Sequence, residues 1–260
     1  ILDLGEKKSI IRYWVEHGHT VFVVSWINPG PELAHKSFED YMLDGPIAAM
    51  NAIEQATGER DLNTVGYCIG GTLLGCTLAW QAARGDDRVK SATFLNSLMD
   101  FSEVGDLEVF IDEDAVGKLE KAMNKQGYLD GASMATAFNM LRANSLIWSF
   151  FVNNYLLGRD NAAFDLLYWN ADATRMPAAM HSFYLRNMYL HNRLREPGGI
   201  ELAGTPIDLG QVKVPSYFAS AIEDHIAPWV SCYQGSRYLG GPVRFVLGGS
   251  GHIAGIINPP

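Results

Sequence analysis

Between Leu62 and Ala83 the chain passes from a β-prone run, Leu62-Asn63-Thr64-Val65-Gly66-Tyr67, straight into a helix-prone run that begins at Ile69. A single residue, Cys68, stands at the junction, with glycines at 66, 70 and 71 around it. A strand that becomes a helix within one residue leaves few folds open. The strand must lie in a sheet, the helix must pack back across it, and the next strand returns parallel to the first. The rest of the sequence agrees. Residues 20–26 (Thr-Val-Phe-Val-Val-Ser-Trp) form a continuous β-rich run of the kind expected for a strand buried on both faces. Residues 89–95, 214–220 and 243–247 read as further strands, the last two separated by a helix over about 228–238. Amphipathic helices are expected over 7–17, stopped by Gly18, and over 38–56, ended by Gly58. The expected class is α/β, a mostly parallel sheet with helices on both faces.

Between Met99 and Val212 this alternation breaks. The segment is rich in aromatics and Met, with helical pieces near 133–142, 145–157 and 177–194. It reads as a cap inserted after a core strand, so that residues 1–99 and 213–260 form the core and 100–212 the cap. A chain of 260 residues, 48% hydrophobic and 19% charged, suffices for one such core with a cap. It opens at Ile1 without an initiator Met, and is expected to be the catalytic part of something longer. No run of 18 apolar residues predicts a membrane span, and no basic, apolar signal segment opens the chain. Three cysteines, Cys68, Cys76 and Cys232, do not make a disulfide framework, which favours a reducing cytosol. No Cys/His spacing resembles a zinc site. A net charge of −9 argues against nucleic-acid binding, and means that an anionic ligand needs a local basic patch.

The Gly-x-Cys-x-Gly-Gly turn between strand and helix has the spacing of a nucleophile elbow. Gly66 and Gly70 are expected to leave room for the bend. The helix N-terminus behind Cys68 favours a negative sulfur, and the Ile69 N–H is placed to donate to an oxyanion. A tight packing turn with an inert, buried cysteine is the alternative. The C-terminal strands add the missing partners. Glu223-Asp224-His225 follows one strand, and Gly248-Gly249-Ser250-Gly251-His252 follows the next. The order Cys68, Asp224, His252 is nucleophile, acid, base. Asp224 has a competing role as N-cap of the helix near Pro228. His225 is a rival base, and is expected instead to hydrogen-bond from behind the triad. Asp100 is a weaker candidate for the acid. Cys76 and Cys232 read as core, His17 and His19 as structural. A thiol suits acyl transfer: moving an acyl group from one thioester to another is nearly isoenergetic, so the acyl-enzyme stays reactive toward an incoming hydroxyl.

These residues resemble the class I polyhydroxyalkanoate synthases, the bacterial storage-polyester polymerases. The similarity lies in Gly66-Tyr67-Cys68-Ile69-Gly70-Gly71-Thr72, in Gly18-His19-Thr20-Val21-Phe22-Val23-Val24-Ser25-Trp26 and in Phe164-Asp165-Leu166-Leu167-Tyr168-Trp169-Asn170. It continues in Glu223-Asp224-His225-Ile226-Ala227-Pro228-Trp229 and Ser250-Gly251-His252-Ile253-Ala254-Gly255. The resemblance implies an α/β-hydrolase fold with a cap, acting on (R)-3-hydroxyacyl-CoA and releasing coenzyme A, which belongs to the substrate, so that no cofactor is required. It implies that Cys68 carries the growing polyester chain as a thioester, that His252 deprotonates Cys68, and that Asp224 helps to activate the 3-hydroxyl of the incoming unit. It further implies a homodimer at the surface of cytoplasmic polyester granules. The family's N-terminal domain and its Pro-rich segment ahead of Ile1 are absent from this sequence. Where the family often has Ala before the Ser-Gly-His run, this chain has Gly249. Arg142 and Arg186, with Arg193 and Arg195 nearby, are candidates for phosphate contacts to coenzyme A, the alternative being solvated arginines on a cap helix. Tyr168 and Trp169 are candidates to line the acyl pocket, or equally to form cap core. The competing functions are a cysteine-dependent hydrolase, such as a lactone hydrolase or polyester depolymerase, and a non-catalytic granule-binding scaffold.

Overall fold

Four parallel strands, β3 (Leu62–Tyr67), β4 (Val89–Leu95), β7 (Ser216–Ala221) and β8 (Val243–Gly248), lie side by side in the order β3-β4-β7-β8. The computed structural model describes residues 1–131, 151–158, 174–253 and 255–258. A short hairpin, β1 (Asp3–Gly5) and β2 (Lys8–Ser9), leads into α1 (Ile10–Glu16), where the Ser9 side chain caps the first turn and His17 bonds back to Tyr13 at the last. The next helix begins as α2 (Phe38–Met42), capped reciprocally by Ser37 and Asp40. It runs through a π-helical turn containing Pro46 into α3 (Ala48–Thr57), and stops at left-handed Gly58.

The helix α4 (Ile69–Ala83) follows β3 after the single residue Cys68. Residues 71–79 of it are all buried, as expected of a helix apolar on every side. Its two buried threonines are satisfied locally, Thr72 by the Leu98 carbonyl and Thr77 by the Leu73 carbonyl. Beneath it, Phe94 of β4 stacks on Phe218 of β7 with ring centroids 4.5 Å apart, both rings fully enclosed. On the far half of the sheet, α7 (Trp229–Ser236) packs on β7 and β8.

The segment between β4 and β7 carries α5 (Glu113–Gln126), which the alternation pattern did not predict. Asp112 caps its start and left-handed Gly127 its end. The predicted helix over 177–194 appears as α6 (Ala178–Tyr184) continued by a π-helical stretch (Leu185–Leu190), and it ends at Asn192, which has φ +48°. A second hairpin, β5 (Glu201–Leu202) and β6 (Thr205–Pro206), precedes β7. Met180 and Tyr184 of α6, with Met188 of the π-helical stretch, join the main core, while Ala178 and Leu185 join a small separate cluster with Val116 and Met123 of α5. The predicted helix at 133–142 lies outside the described residues. Of that at 145–157, residues 151–156 are described and are π-helical.

The expectation of a strand over residues 20–26 is overturned. Residues 20–26 form no strand, and Phe22, Val23, Val24 and Trp26 are all more than 40% exposed. The end of the run is held by other contacts: Trp26 stacks on Tyr41 at 4.7 Å, and the Asn28 side chain accepts from the Arg175 N–H. β propensity needs a paired edge to become a strand, and here β3 is left as the edge of the sheet with Val65 exposed.

Because Phe218 is enclosed on all sides, Phe218→Ala is expected to destabilise the fold by about 3–5 kcal/mol. Urea denaturation checks this; a loss below about 1 kcal/mol would show that the site is not close-packed.

Candidate active site

The bend at Cys68 is built from two glycines that touch. A Cβ on Gly66 would stand 2.5 Å from the Gly71 Cα, and one on Gly71 would stand 2.0 Å from the Ser97 Oγ. Gly70, by contrast, faces open space and has no positive φ. The expectation that Gly66 and Gly70 make room is therefore corrected to Gly66 and Gly71, because the crossing of strand and helix falls one residue later. Cys68 itself sits at φ 52°, ψ −128°, a strained conformation for a residue with a side chain. Its N–H donates to the Leu95 carbonyl (3.0 Å) and its carbonyl accepts from Gly71 (2.9 Å), so both peptide groups are locked. The sulfur is left half-buried at the N-terminus of a 15-residue helix, beside the first-turn N–H of Ile69.

Asp224 and His252 meet in the interior. His252 Nδ1 lies 2.6 Å from Asp224 Oδ2, and both residues are under a tenth exposed. A carboxylate accepts, so Nδ1 carries the proton and Nε2 is the other face of the ring. The second oxygen of Asp224 accepts from the Ile226 N–H (2.9 Å) and the Ala227 N–H (2.8 Å). The expected alternative role of Asp224 as helix N-cap is corrected: Pro228 is the N-cap of α7, with no side-chain cap bond, and Asp224 instead closes the turn ahead of it. Burial alone disfavours the His252 imidazolium. It is outweighed by hydrogen bonds to Asp224 and to the Cys68 side chain, and by the charges of both, and the ring is pushed up to about 10. The structure therefore brings Cys68, Asp224 and His252 together.

Other candidates fall elsewhere. Asp100 is buried, but accepts from the Ser102 N–H, from Asn192 and from the Tyr238 hydroxyl, and His252 takes Asp224 as its carboxylate. His225 stands on the same turn as Asp224, with its carbonyl against Gly105. Cys76 and Cys232 are fully buried, and burial pushes each thiol up to about 12. Arg186 is committed to two carboxylates of α5, to Glu120 through two bonds (2.7 and 2.8 Å) and to Glu113 at 3.1 Å. A phosphate would have to displace them. Arg142, Tyr168 and Trp169 lie outside the described residues.

Sequence reasoning missed two tyrosines. Tyr184 and Tyr189, one on α6 and one on the π-helical stretch after it, pack edge-to-face with centroids 5.3 Å apart and hydrogen-bond to each other. Tyr184 also reaches Thr72 on α4. Burial, then neighbouring groups that include Cys68, hold both phenols above their usual range. Residues five apart do not share a face of an α-helix, but they do on a π-helical turn, so helical spacing gave no signal.

The sequence profile of the α/β-hydrolase fold matches residues 5–259. The chain is 56% identical over its full length to the Poly(3-hydroxyalkanoate) polymerase subunit PhaC of Rhizobium meliloti, covering 42% of that protein. It is also 56% identical to the Poly(3-hydroxyalkanoate) polymerase of Methylorubrum extorquens (43% of that protein) and 43% identical to PhaC of Cupriavidus necator (45% of that protein). It spans less than half the length of each.

The raised His252 value makes a signed expectation. In the folded state the ring holds its proton above the ordinary 6.5, so its stabilising contribution is complete below about pH 6.5 and is lost as pH rises through about 10. In Asp224→Asn the charge and the charge-assisted bond are gone while burial remains, so His252 is expected to titrate well below the wild-type value. An NMR titration of the His252 ring checks this; an unmoved midpoint would mean that Asp224 does not hold the proton there.

Proposed function

Since this chain belongs to the α/β-hydrolase family, and its resemblance to polyhydroxyalkanoate synthases holds along its whole length, we propose that it catalyses polymerisation of (R)-3-hydroxyacyl-CoA into polyester, releasing coenzyme A through a Cys68 thioester. The observation that carries the reading is the buried Asp224–His252 pair, hydrogen-bonded on its far side to a cysteine on a strained elbow.

His252 Nε2 holds the proton of Cys68 in a thiolate–imidazolium pair, and the imidazolium is held by Asp224. The thiolate attacks the acyl carbonyl of the substrate thioester, and the developing oxyanion is met by the Ile69 N–H. The carbon–sulfur bond to coenzyme A breaks, and the departing thiolate takes the proton from His252. The acyl group now sits on Cys68 as a thioester, no more stable than the one consumed. The neutral imidazole next removes the proton from the 3-hydroxyl of a second unit. That oxygen attacks the Cys68 thioester, an ester bond forms, and the thiol is regenerated. A sulfur leaving group suits this second step better than a serine oxygen would. Tyr184 and Tyr189 are buried close enough to Cys68 to feel its charge, and a growing chain would need this packing to open. We extend the reading to a homodimer at the surface of cytoplasmic polyester granules, with coenzyme A as part of the substrate and no further cofactor. Among the described residues no helix is long and apolar enough to cross a membrane.

The test is release of coenzyme A from 3-hydroxybutyryl-CoA, with products divided into polymer and free acid. Polymer is expected from the wild type, with the rate lowered on the order of 10⁴-fold in Cys68→Ala. Free 3-hydroxy acid as the main product would replace this reading with a cysteine hydrolase. Undiminished release after alkylation of Cys68 would remove the thioester altogether.

A further inference from the structure

Cys68 and His252 belong to opposite edges of the sheet. Cys68 follows β3 and His252 follows β8, with β4 and β7 between them. Neighbouring strands are about 4.8 Å apart, so the two edges are separated by roughly 14 Å. For its imidazole to reach the Cys68 sulfur, the loop after β8 must lean back over the ends of both middle strands. That loop is poorly suited to holding itself: it reads Gly248-Gly249-Ser250-Gly251-His252, with Ser250 at φ 71° and Gly255 at φ 89°.

The loop is tied at its start, where the Ile222 and Glu223 N–H groups donate to the Gly248 and Ser250 carbonyls (both 3.0 Å), and beyond that it is held through His252, gripped at two ends. The ring is held by Asp224, from the end of β7. The carbonyl is held by two side chains that the triad does not account for. Asn96 Nδ2, immediately after β4, donates to the His252 carbonyl at 2.6 Å, and the Tyr67 hydroxyl, the last residue of β3, donates to the same oxygen at 3.2 Å. Each strand end that the loop crosses therefore supplies one bond to His252. Asn96 is fully buried, sits in the left-handed region at φ 45°, and has its backbone N–H fixed to the Ala219 carbonyl at 2.9 Å, so its main chain is held in place beside the loop. The Tyr67 ring also lies against the imidazole, centroids 5.1 Å apart, and its burial keeps the phenol protonated as a donor at any working pH.

We propose that Tyr67 and Asn96 are positioning residues, which fix the His252 imidazole over Cys68 by clamping the carbonyl of the same residue. The proposal rests on Cys68 and His252 being the reacting pair. It assigns the two residues no contact with the substrate. Their loss is expected to lower kcat and leave KM in place, because the encounter with substrate is unchanged while the proton transfer is misaligned.

The experiment follows the pH dependence of Cys68 alkylation by iodoacetamide in the 260-residue chain, together with the NMR titration of His252. Cys76 and Cys232 are buried, so the half-buried Cys68 is the thiol that reports. Two variants are compared: Tyr67→Phe, which removes one oxygen and keeps the ring, and Asn96→Gly, which accepts φ 45° without strain. Each is expected to slow alkylation at neutral pH about five- to tenfold, the worth of one hydrogen bond, and to shift the His252 midpoint downward. Superimposable pH profiles for wild type and both variants would overturn the proposal, whatever their melting temperatures. Should Asn96→Gly fail to fold, Tyr67→Phe decides alone. If the catalytic reading itself were wrong, coenzyme A release by the wild type would survive alkylation of Cys68. The alkylation profile and the His252 titration would still decide whether the clamp sets the imidazole.

Discussion

A strand can turn into a helix within one residue only if the two backbones pass at less than the width of a side chain. Gly66 and Gly71 meet that condition, with the Gly66 position closed to a Cβ by the Gly71 backbone. Everything chemical about this protein follows from that contact. It forces Cys68 into a positive-φ conformation, and so raises the sulfur clear of the sheet at the head of α4. It makes Ile69, next to the sulfur, the first residue of that helix. It also commits the helix to cross back over β3 and β4, where its buried middle completes the core.

The second requirement is to keep a charged pair in the interior. Removing a carboxylate and an imidazolium from water is costly, and the cost is offset only when every polar atom finds a partner. Asp224 meets this with two backbone N–H groups on one oxygen and the imidazole on the other. His252 meets it with Asp224 on Nδ1, a hydrogen bond to Cys68, and two donors on its carbonyl. The His252 imidazole is raised toward its charged form although burial opposes it, because Asp224 and Cys68 both hold the proton there.

Much of this was legible beforehand. The run 62–67, the helix 69–83 and the strand 89–95 emerge with the boundaries expected, because propensity, glycine punctuation and burial agree there. The order of Cys68, Asp224 and His252, each just past a strand, was enough to nominate them. Elsewhere one signal was mistaken for another. Residues 20–26 have strong β composition and no partner edge. Helix α5 was legible in Asp112 and Gly127, its two caps, but the surrounding composition hid it. Tyr184 and Tyr189 were invisible because they share a face only on a π-helical turn.

Sequence by itself determined the local chemistry: a thiol at a glycine-walled bend, a carboxylate that can cap a turn, a histidine in a loop of glycines. These depend on neighbours within a few residues, and steric rules translate them directly. The tertiary structure alone decided the distances. It placed the outer strands at opposite edges of the sheet, so the histidine had to lean back across it, and it chose Asn96 and Tyr67 to hold it there. Contacts between residues 156 and 185 positions apart leave no periodicity in the chain, because they are set by strand order and not by local spacing.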